Sequence, residues 1–287
     1  MRFGAHISVA GGYLKALDYA VEVGCECAQV FAKSPRQWRT ANIDPDAAAR
    51  FVEARRDRDF GPLFTHTAYL INLASLNPEL WEKSVAALAD ELVRASLLDA
   101  AGVVTHVGAA QDGDDGCAKR VGQGVVRAYD LAGKRASDVR LLLENTAGAG
   151  HTFGGTFEQL AAAIDVADMP AESLGVCFDT CHGFAQGYEL ESAEGWRSTL
   201  SALERVLGIE RLGLIHANDC MYARESHRDR HAWIGDGHIG EAGFEAMICA
   251  PQLAGVSVVT EMPGEVPDKD IENIRRLCDL RKRCMEG

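Results

Sequence analysis

Short apolar runs alternate with longer amphipathic segments along almost the whole chain. The runs are rich in β-branched and aromatic residues, which is typical of buried strands. The predicted strands are residues 2–7, 28–31, 62–66, 102–107, 140–144, 174–179, 212–216 and 257–261. Between them, apolar residues at helical spacing predict helices near residues 14–23, 44–58, 78–98, 117–132, 156–166, 193–207, 241–250 and 269–284.

The pattern amounts to eight strand–helix units with no break in composition between them. Asn77-Pro78 and Thr156 are signals for helix starts, while Pro170 and Pro251 follow predicted helix ends. Eight such units in a chain of about 250 residues or more are typical of a TIM barrel. We therefore predict an α/β fold with a single (β/α)8 TIM-barrel domain over residues 1–287. A doubly wound sheet is the alternative.

Metal-capable side chains stand at the ends of six consecutive predicted strands. They are His66, His106, Glu144, Asp179, His216 and Glu261. Allowing about three residues of slack at each strand end, six in a row is a coincidence on the order of 1%. Active sites of TIM barrels lie at these strand ends, and buried carboxylates are costly without a cation. The ring favours a metal site over core histidines and arginine-paired acids.

Two loops add further candidates. His182 follows Asp179 by three residues, and Asp229 and His231 alternate in the polar stretch R-D-R-H. In an extended segment, alternate side chains point the same way and suit one ion. Nine ligands are too many for one ion but suit three if carboxylates bridge. Mixed imidazole and carboxylate ligands favour zinc, with manganese as the alternative.

The stretch V-C-F-D-T-C-H (176–182) also contains two cysteines. Its C-x-x-x-C-H spacing is one residue longer than the haem-attachment signature. The nine cysteines are scattered, and no disulfide framework is expected in a chain of this length without a secretion signal. We interpret the nine as mostly buried thiols, and the two of this stretch, Cys177 and Cys181, as standing beside the metal site rather than in it.

Charge and hydropathy limit where the protein is expected to act and what it is expected to bind. No apolar segment is long enough for a signal peptide or a membrane span, so we expect a cytoplasmic protein, in the bacterial cytosol near the nucleoid. The net charge of −13 argues mildly against a nucleic-acid partner. Bound divalent cations would offset that charge locally.

Seven motifs, in order along the chain, resemble the endonuclease IV family of apurinic/apyrimidinic endonucleases. They are G-A-H-I-S-V-A-G-G (4–12), F-A-K-S-P-R-Q-W (31–38), H-T-A-Y-L-I-N-L (66–73), L-E-N-T-A-G-A-G (143–150), D-T-C-H-G-F-A-Q-G-Y (179–188), H-A-N-D (216–219) and D-R-H-A-W-I-G-D-G-H-I-G (229–240). The chain departs from the family pattern at Ala68, Val107 and Met221, none of which is a predicted ligand.

The resemblance implies hydrolysis of the phosphodiester 5′ to abasic sites in duplex DNA, leaving a 3′-hydroxyl, with related trimming of 3′ ends. It also implies three zinc ions. His66, His106 and Glu144 would hold the first; Asp179, His216 and Glu261 would join the bridging Glu144 on the second; His182, Asp229 and His231 would hold the third. Glu144 is the expected catalytic carboxylate, which would orient or deprotonate the attacking water. We expect a monomer.

In the family, loops after the second and third strands insert side chains at the damaged site. The corresponding DNA-contact candidates here are Arg36, Gln37, Trp38, Tyr69, Leu70 and Asn72, with Arg228 and Arg230 from a later loop. A metal-dependent sugar isomerase or epimerase of the xylose-isomerase-like barrels is the alternative function. A non-catalytic DNA- or metal-binding barrel is a second one. Metal content distinguishes the first two, since three ions favour the nuclease and one favours the isomerase.

Overall fold

The computed structural model describes residues 1–39, 41–110, 116–262 and 267–286. Its barrel strands are β1 (Arg2–Ile7), β2 (Cys27–Phe31), β3 (Leu63–His66), β4 (Gly102–His106), β5 (Arg140–Glu144), β6 (Leu174–Asp179), β7 (Leu212–His216) and β10 (Ser257–Thr260). These eight parallel strands close into a barrel in which β1 pairs with both β2 and β10. The predicted TIM barrel is confirmed. The doubly wound alternative is wrong, because such a sheet is open and this one closes.

Helices follow the barrel strands and cover the outside of the barrel. They are α1 (Tyr13–Glu22), α2 (Pro45–Asp57), α3 (Pro78–Leu97), α4 (Cys117–Ala132), α5 (Phe157–Ala167), α6 (Thr180–Gln186), α7 (Ala193–Val206), α8 (Gly240–Cys249) and α9 (Pro267–Glu286). The predicted start signals act as expected. The Asn77 side chain accepts the backbone N–H groups of Glu79 and Leu80, and Thr156 accepts that of Gln159. No helix among the described residues is long and apolar enough to cross a membrane.

Two local elements at the barrel mouth were not predicted. One is the short helix α6, which begins directly after β6. The other is a hairpin of β8 (Asp219–Cys220) and β9 (His231–Ala232), which lies outside the barrel sheet. Both follow strands at the C-terminal end of the barrel, so both lie where the predicted metal ligands converge.

The barrel interior is built in two layers. Because side chains alternate along a strand, every second residue points inward. The lower layer is a buried apolar cluster of Cys27, Phe64, Val104, Leu142, Cys177, Leu214 and Val259. Two residues further along each of those strands lies the upper layer at the barrel mouth, and there the side chains are polar. In each of these strands the inward-facing residues change from apolar to polar at the barrel mouth, so the candidate site lies there.

One disulfide joins Cys249 of α8 to Cys284 of α9. The expectation of thiols is therefore wrong at this pair. The two cysteines are 35 residues apart in the sequence, so no local pattern indicates that they are paired. Helices α8 and α9 pack against each other beside the barrel, and this brings the two cysteines together. The other seven cysteines are thiols, and all but Cys278 are buried.

Candidate metal centre

The barrel strands bring the six predicted strand-end residues into one ring. His66, His106, Glu144, Asp179 and His216 are the last residues of β3 to β7, and Glu261 directly follows β10. Each stands two positions beyond a member of the apolar layer and so shares its inward direction. Four of the six side chains are buried at 0–2% exposure, and Glu261 remains 16% exposed.

Helix α6 and the hairpin supply the remaining three predicted ligands. The Asp179 carboxylate caps α6 by accepting the His182 backbone N–H at 2.8 Å, which turns the His182 ring back toward the barrel axis. In the hairpin, Cys220 pairs with His231, so the strand that carries His231 lies over the mouth. Asp229 stands two residues before it. Its carboxylate Oδ2 is 3.3 Å from His182 Nε2, and its Oδ1 is 3.4 Å from His231 Nε2.

Asp219 holds the hairpin in place. Its carboxylate accepts backbone N–H groups from Cys220, Gly235, Gly237 and Ile239 at 2.8–3.0 Å. These bonds fold the loop after β9 around a single buried side chain. Glycine is required at 237, because a Cβ there would lie 2.4 Å from Asp219 Oδ1. The last residue of H-A-N-D therefore positions a loop rather than a ligand atom.

All nine predicted ligands come together in three groups, and within each group the ligand atoms lie within 4.8 Å of one another. The groups are His66, His106 and Glu144; Glu144, Asp179, His216 and Glu261; and His182, Asp229 and His231. Glu144 belongs to two of them. This is the same partition that the family resemblance implies for three ions.

Glu144 lies at the centre of the cluster and is completely buried. Its Oε2 is 3.1 Å from His66 Nε2 and 3.4 Å from His106 Nε2. Its Oε1 is 3.2 Å from His216 Nδ1 and 3.3 Å from His182 Nδ1. One carboxylate thus faces four imidazoles from two sides, which is the geometry of a bridging ligand.

Backbone carbonyls fix the orientation of three histidine rings. The Nδ1–H groups of His66, His182 and His231 donate to the carbonyls of Thr67, Asn145 and Glu261 at 2.8–2.9 Å. Each ring therefore presents Nε2 to the cavity, as metal-binding histidines do. His231 Nε2 is buried and has no hydrogen-bond partner among the described residues. An orphaned nitrogen beside two carboxylates fits a divalent cation.

Two asparagines support Asp179. Asn145 accepts the Asp179 backbone N–H at 2.6 Å, and Asn218 donates to Asp179 Oδ2 at 2.5 Å. Asn218 also accepts the Glu261 backbone N–H at 2.7 Å. Neither asparagine was predicted to take part in the site. The available signal was their position, since each lies within two residues of a ligand in L-E-N-T and H-A-N-D.

The electrostatics of the cluster are those of paired charges. Burial opposes ionisation of Glu144, but the charges of His106 and His216 hold its pKa well below its usual range. Burial likewise opposes the charged forms of His182 and His216. Neighbouring groups, including Asp179 for His182 and Cys177 followed by Glu261 for His216, raise their pKa values well above the usual range. Protons on these rings therefore occupy positions that a cation would take.

The cysteines of V-C-F-D-T-C-H lie in different surroundings. Cys177 belongs to the apolar layer below the ring, where burial raises the pKa of its thiol to about 12. The Cys181 thiol, in contrast, lies within 4.8 Å of ligand atoms of Asp179 and His231. The interpretation that both cysteines stand beside the metal site stays a prediction.

A cavity of about 1040 Å³ opens beside the cluster on the side of β1, β2 and β3. Arg36, Tyr69 and Arg230 line it, together with Asp229, His231 and Glu261 of the cluster. Tyr69 is 61% exposed, and its ring centroid lies 5.6 Å from that of His66. Three of the eight predicted DNA-contact residues thus line the open space beside the cluster, and their contact with DNA stays a prediction.

The other five DNA-contact candidates lie elsewhere, and their role stays a prediction. Gln37 is exposed and Leu70 half-buried. The Lys83 ammonium lies 4.3 Å from the centroid of the Trp38 ring, and Arg228 stacks on Tyr222. The Asn72 amide donates to the Ala109 carbonyl at 2.8 Å and accepts the Ala109 N–H at 3.2 Å. Asn72 therefore ties the loops after β3 and β4 together.

Comparison with known proteins agrees with this geometry. A family described as xylose isomerase-like TIM barrel matches residues 17–283. A probable endonuclease 4 from Methanoculleus marisnigri is 40% identical over 278 residues, covering 96% of this chain and 98% of the relative. The crystal structure of endonuclease IV from Thermus thermophilus superposes with a TM-score of 0.88 at 38% identity, covering 99% of this chain and 100% of that one. A D-tagatose 3-epimerase-like protein shares the fold at 20% identity, with a TM-score of 0.72 and coverage of 100% and 99%.

Proposed function

The chain belongs to the endonuclease IV family of apurinic/apyrimidinic endonucleases, and we propose that it hydrolyses the phosphodiester 5′ to abasic sites in duplex DNA. The products are a 3′-hydroxyl end and a 5′ end that carries the abasic sugar phosphate. Trimming of blocked 3′ ends is the related activity. One observation supports this most directly: the nine predicted ligands fall into three groups, and Glu144 belongs to two of them. A sugar isomerase, which holds one or two ions, has no use for the third group.

We propose zinc as the metal, with three ions per chain and manganese as the alternative at individual sites. The donor chemistry supports this, because five imidazoles and four carboxylates form the set. His66, His106 and Glu144 would hold the first ion. Glu144, Asp179, His216 and Glu261 would hold the second, and His182, Asp229 and His231 the third.

When bound, the ions supply a water that ionises near neutral pH and offset the charge that develops on the phosphate. Glu144 is the catalytic residue in this proposal. It is buried, ionised and central, so it would orient the attacking water or accept its proton. The rings of His66, His182 and His231, held by backbone carbonyls, would keep their orientation while negative charge develops on the phosphate. No side-chain nucleophile is needed, and no covalent intermediate is expected.

Substrate recognition falls to the walls of the cavity. Arg36 and Arg230 are exposed cations that would pair with phosphates on either side of the cluster. Tyr69 presents a planar ring to the space that the missing base leaves in the stack. Gln37, Trp38, Leu70, Asn72 and Arg228 would flank this contact. A chain that carries all nine ligands needs no second copy, which supports a monomer, and we place it in the cytoplasm.

The test is cleavage of a labelled duplex that carries one tetrahydrofuran abasic analogue. We expect a single nick 5′ to the analogue, a 3′-hydroxyl product and no cleavage of the undamaged duplex. The Glu144→Gln variant is the matched negative control. Zinc-loaded protein that leaves the damaged duplex intact, or that epimerises a ketohexose instead, would overturn the proposal.

A further inference from the structure

The upper layer of the barrel contains two positions that the nine ligands do not fill. Strands β1 and β2 place His6 and Gln29 at the level of the ring, two residues beyond Gly4 and Cys27. These two residues are direct partners in the pairing of β1 with β2. Gln29 is completely buried. A buried amide at the edge of a charged cluster must have its hydrogen bonds satisfied there.

The Gln29 amide contacts two of the predicted ligands directly. Its Oε1 lies 2.9 Å from His216 Nε2, and its Nε2 lies 2.6 Å from Glu261 Oε1. The same Nε2 lies 2.9 Å from His6 Nδ1. Both polar atoms of this side chain are therefore engaged by the site.

The chemistry of these contacts fixes which atom donates. His216 Nδ1 faces Glu144 Oε1 and Glu261 Oε2, both at 3.2 Å, so this nitrogen is the one available to an ion. The ring proton of neutral His216 then lies on Nε2 and is donated to Gln29 Oε1. Consequently the Gln29 amino group points the other way and donates to Glu261 and to His6.

We propose that Gln29 is a positioning residue of the metal centre, which holds His216 in the tautomer that presents Nδ1 and holds Glu261 against it. This rests on the proposed metal centre and adds a member to its supporting shell. Groups that orient metal ligands in this way typically change metal affinity about 10- to 100-fold when removed. Glutamine suits the position because it alone offers an acceptor and two donors at this length.

Two substitutions distinguish the hydrogen bonds of Gln29 from the space that its side chain fills. Gln29→Met keeps the length and removes both functions. Gln29→Glu keeps the size and the acceptor but loses the donor and adds a negative charge beside Glu261. Thr65→Val is the matched control. Thr65 is a completely buried polar residue of the neighbouring strand β3, one residue before His66, and its hydroxyl has no hydrogen-bond partner in the part of the chain that the structure describes.

The experiment measures zinc per chain and the rate of zinc loss to excess EDTA for full-length holoprotein. We expect both Gln29 variants to lose zinc from one site about 10- to 100-fold faster than the parent. Thr65→Val should match the parent. The melting temperatures of the metal-free proteins show whether a change is only structural. If it is, the rate of zinc loss should follow the melting temperature in all variants, including Thr65→Val. If Gln29→Met does not fold, the size-matched Gln29→Glu variant carries the test.

The results distinguish the two proposals. A parent protein that binds three zinc ions, with Gln29 variants that release them at the parent rate, overturns the role of Gln29 and leaves the proposed function standing. A parent protein that binds at most one ion overturns the trinuclear centre itself.

Discussion

Lys33 and Glu91 form an ion pair, with 3.5 Å between Nζ and Oε1, in which both side chains are only 1% exposed. The same Glu91 oxygen accepts the backbone N–H of Ala68 at 3.1 Å. Lys33 lies in the loop after β2 and Ala68 in the loop after β3. One carboxylate of α3 therefore holds both loops that carry cavity-lining residues, Arg36 in the first and Tyr69 in the second.

Removing the charge of Lys33 should destabilise the fold strongly. Lys33→Met leaves Glu91 buried without its cation, and breaking a buried pair in this way costs about 3–5 kcal/mol. Lys282→Met is the matched control, because Lys282 pairs with Asp279 at 3.1 Å but the two side chains are 71% and 51% exposed. Its loss should cost less than about 1 kcal/mol. Urea denaturation measures both, and equal costs would show that burial of the Lys33–Glu91 pair does not matter.

Glu144→Gln should abolish most activity while the barrel still folds. The amide is isosteric but neutral, so it cannot bridge two ions or accept a proton from water. We expect turnover on the abasic duplex to fall at least about 100-fold, with a parent-like circular dichroism spectrum. Zinc content should fall as well. Near-parent turnover in this variant would mean that another group activates the water.

Cys177→Ala tests the interpretation of the cysteine motif. Cys177 is completely buried in the apolar layer, so the variant should lose about 1–2 kcal/mol of stability through the cavity it creates. The thiol interacts with the His216 ring, but if it is not itself a ligand the zinc content of the variant should equal that of the parent. Cys181→Ala is the informative comparison, since that thiol lies close to Asp179 and His231. Loss of an ion from either variant would make the cysteine part of the site.

Much of the fold could be predicted because the strands are short, apolar and largely buried, and each predicted strand lies within about one residue of its observed bounds. Five of the six ring residues end their predicted strands, and His106 stands one residue before the end of its strand. Gln29 could not be predicted as a member of the site because an amide is not a typical metal ligand and it lies two residues before the end of its strand. His6 also stands one residue before the end of its strand, but that strand is not one of the six consecutive strands that carry the ring. The register of strand pairing decides which residues of a strand point inward. That register is a property of the folded barrel and cannot be read from one strand alone.

Helix α6 and the supporting asparagines could not be predicted for a related reason. Asp179 is both the last residue of β6 and the N-cap of α6, so no loop with helix-start residues separates the two elements. Asn145 and Asn218 act on Asp179 through contacts that join the ends of strands β5, β6 and β7. Such contacts join residues that lie 34 and 39 positions apart, and they leave no local pattern in the sequence.

Metal-free and metal-loaded protein should respond to pH in opposite directions. In the metal-free fold, the pKa values of His182 and His216 lie well above the ordinary 6.5. The folded state thus binds more protons than the unfolded chain, and this stability is present below pH 6.5 and lost as pH rises through the folded values. Burial lowers the pKa values of His6 and His106, which opposes the trend in part.

Zinc reverses the sign because it competes with protons for the same nitrogens. Between about pH 6 and pH 9, the melting temperature of EDTA-stripped protein should fall, whereas that of zinc-loaded protein should rise or stay level. Below the ordinary 4.5 of a glutamate, both forms should weaken, since the lowered pKa values of Glu144 and Glu261 mean that their stabilising contribution is lost on protonation. Parallel curves for the two forms would argue against metal at these histidines.

An acidic protein must bind DNA through local features, and here the cavity offers two of different physical kinds. Arg36 would contact phosphate, and such contacts release counterions, so affinity falls steeply with salt. Tyr69 would act by filling the abasic gap, which salt affects much less. We expect Arg36→Ala to weaken binding to abasic duplex and to reduce the slope of log affinity against log salt by about 1 between roughly 50 and 200 mM salt.

Tyr69→Ala should weaken binding by a similar amount with an unchanged salt slope, and it should matter less on single-stranded abasic substrate, where no stack needs opening. Arg205→Ala is the control, because Arg205 is exposed near the end of α7, which leads into the start of β7 at the other end of the barrel. Zinc content should stay at the parent value in all three variants. If Arg36→Ala and Tyr69→Ala bind abasic duplex as the parent does across the salt series, the loops after β2 and β3 do not read the damage, and recognition must come from the hairpin arginines, Arg228 and Arg230.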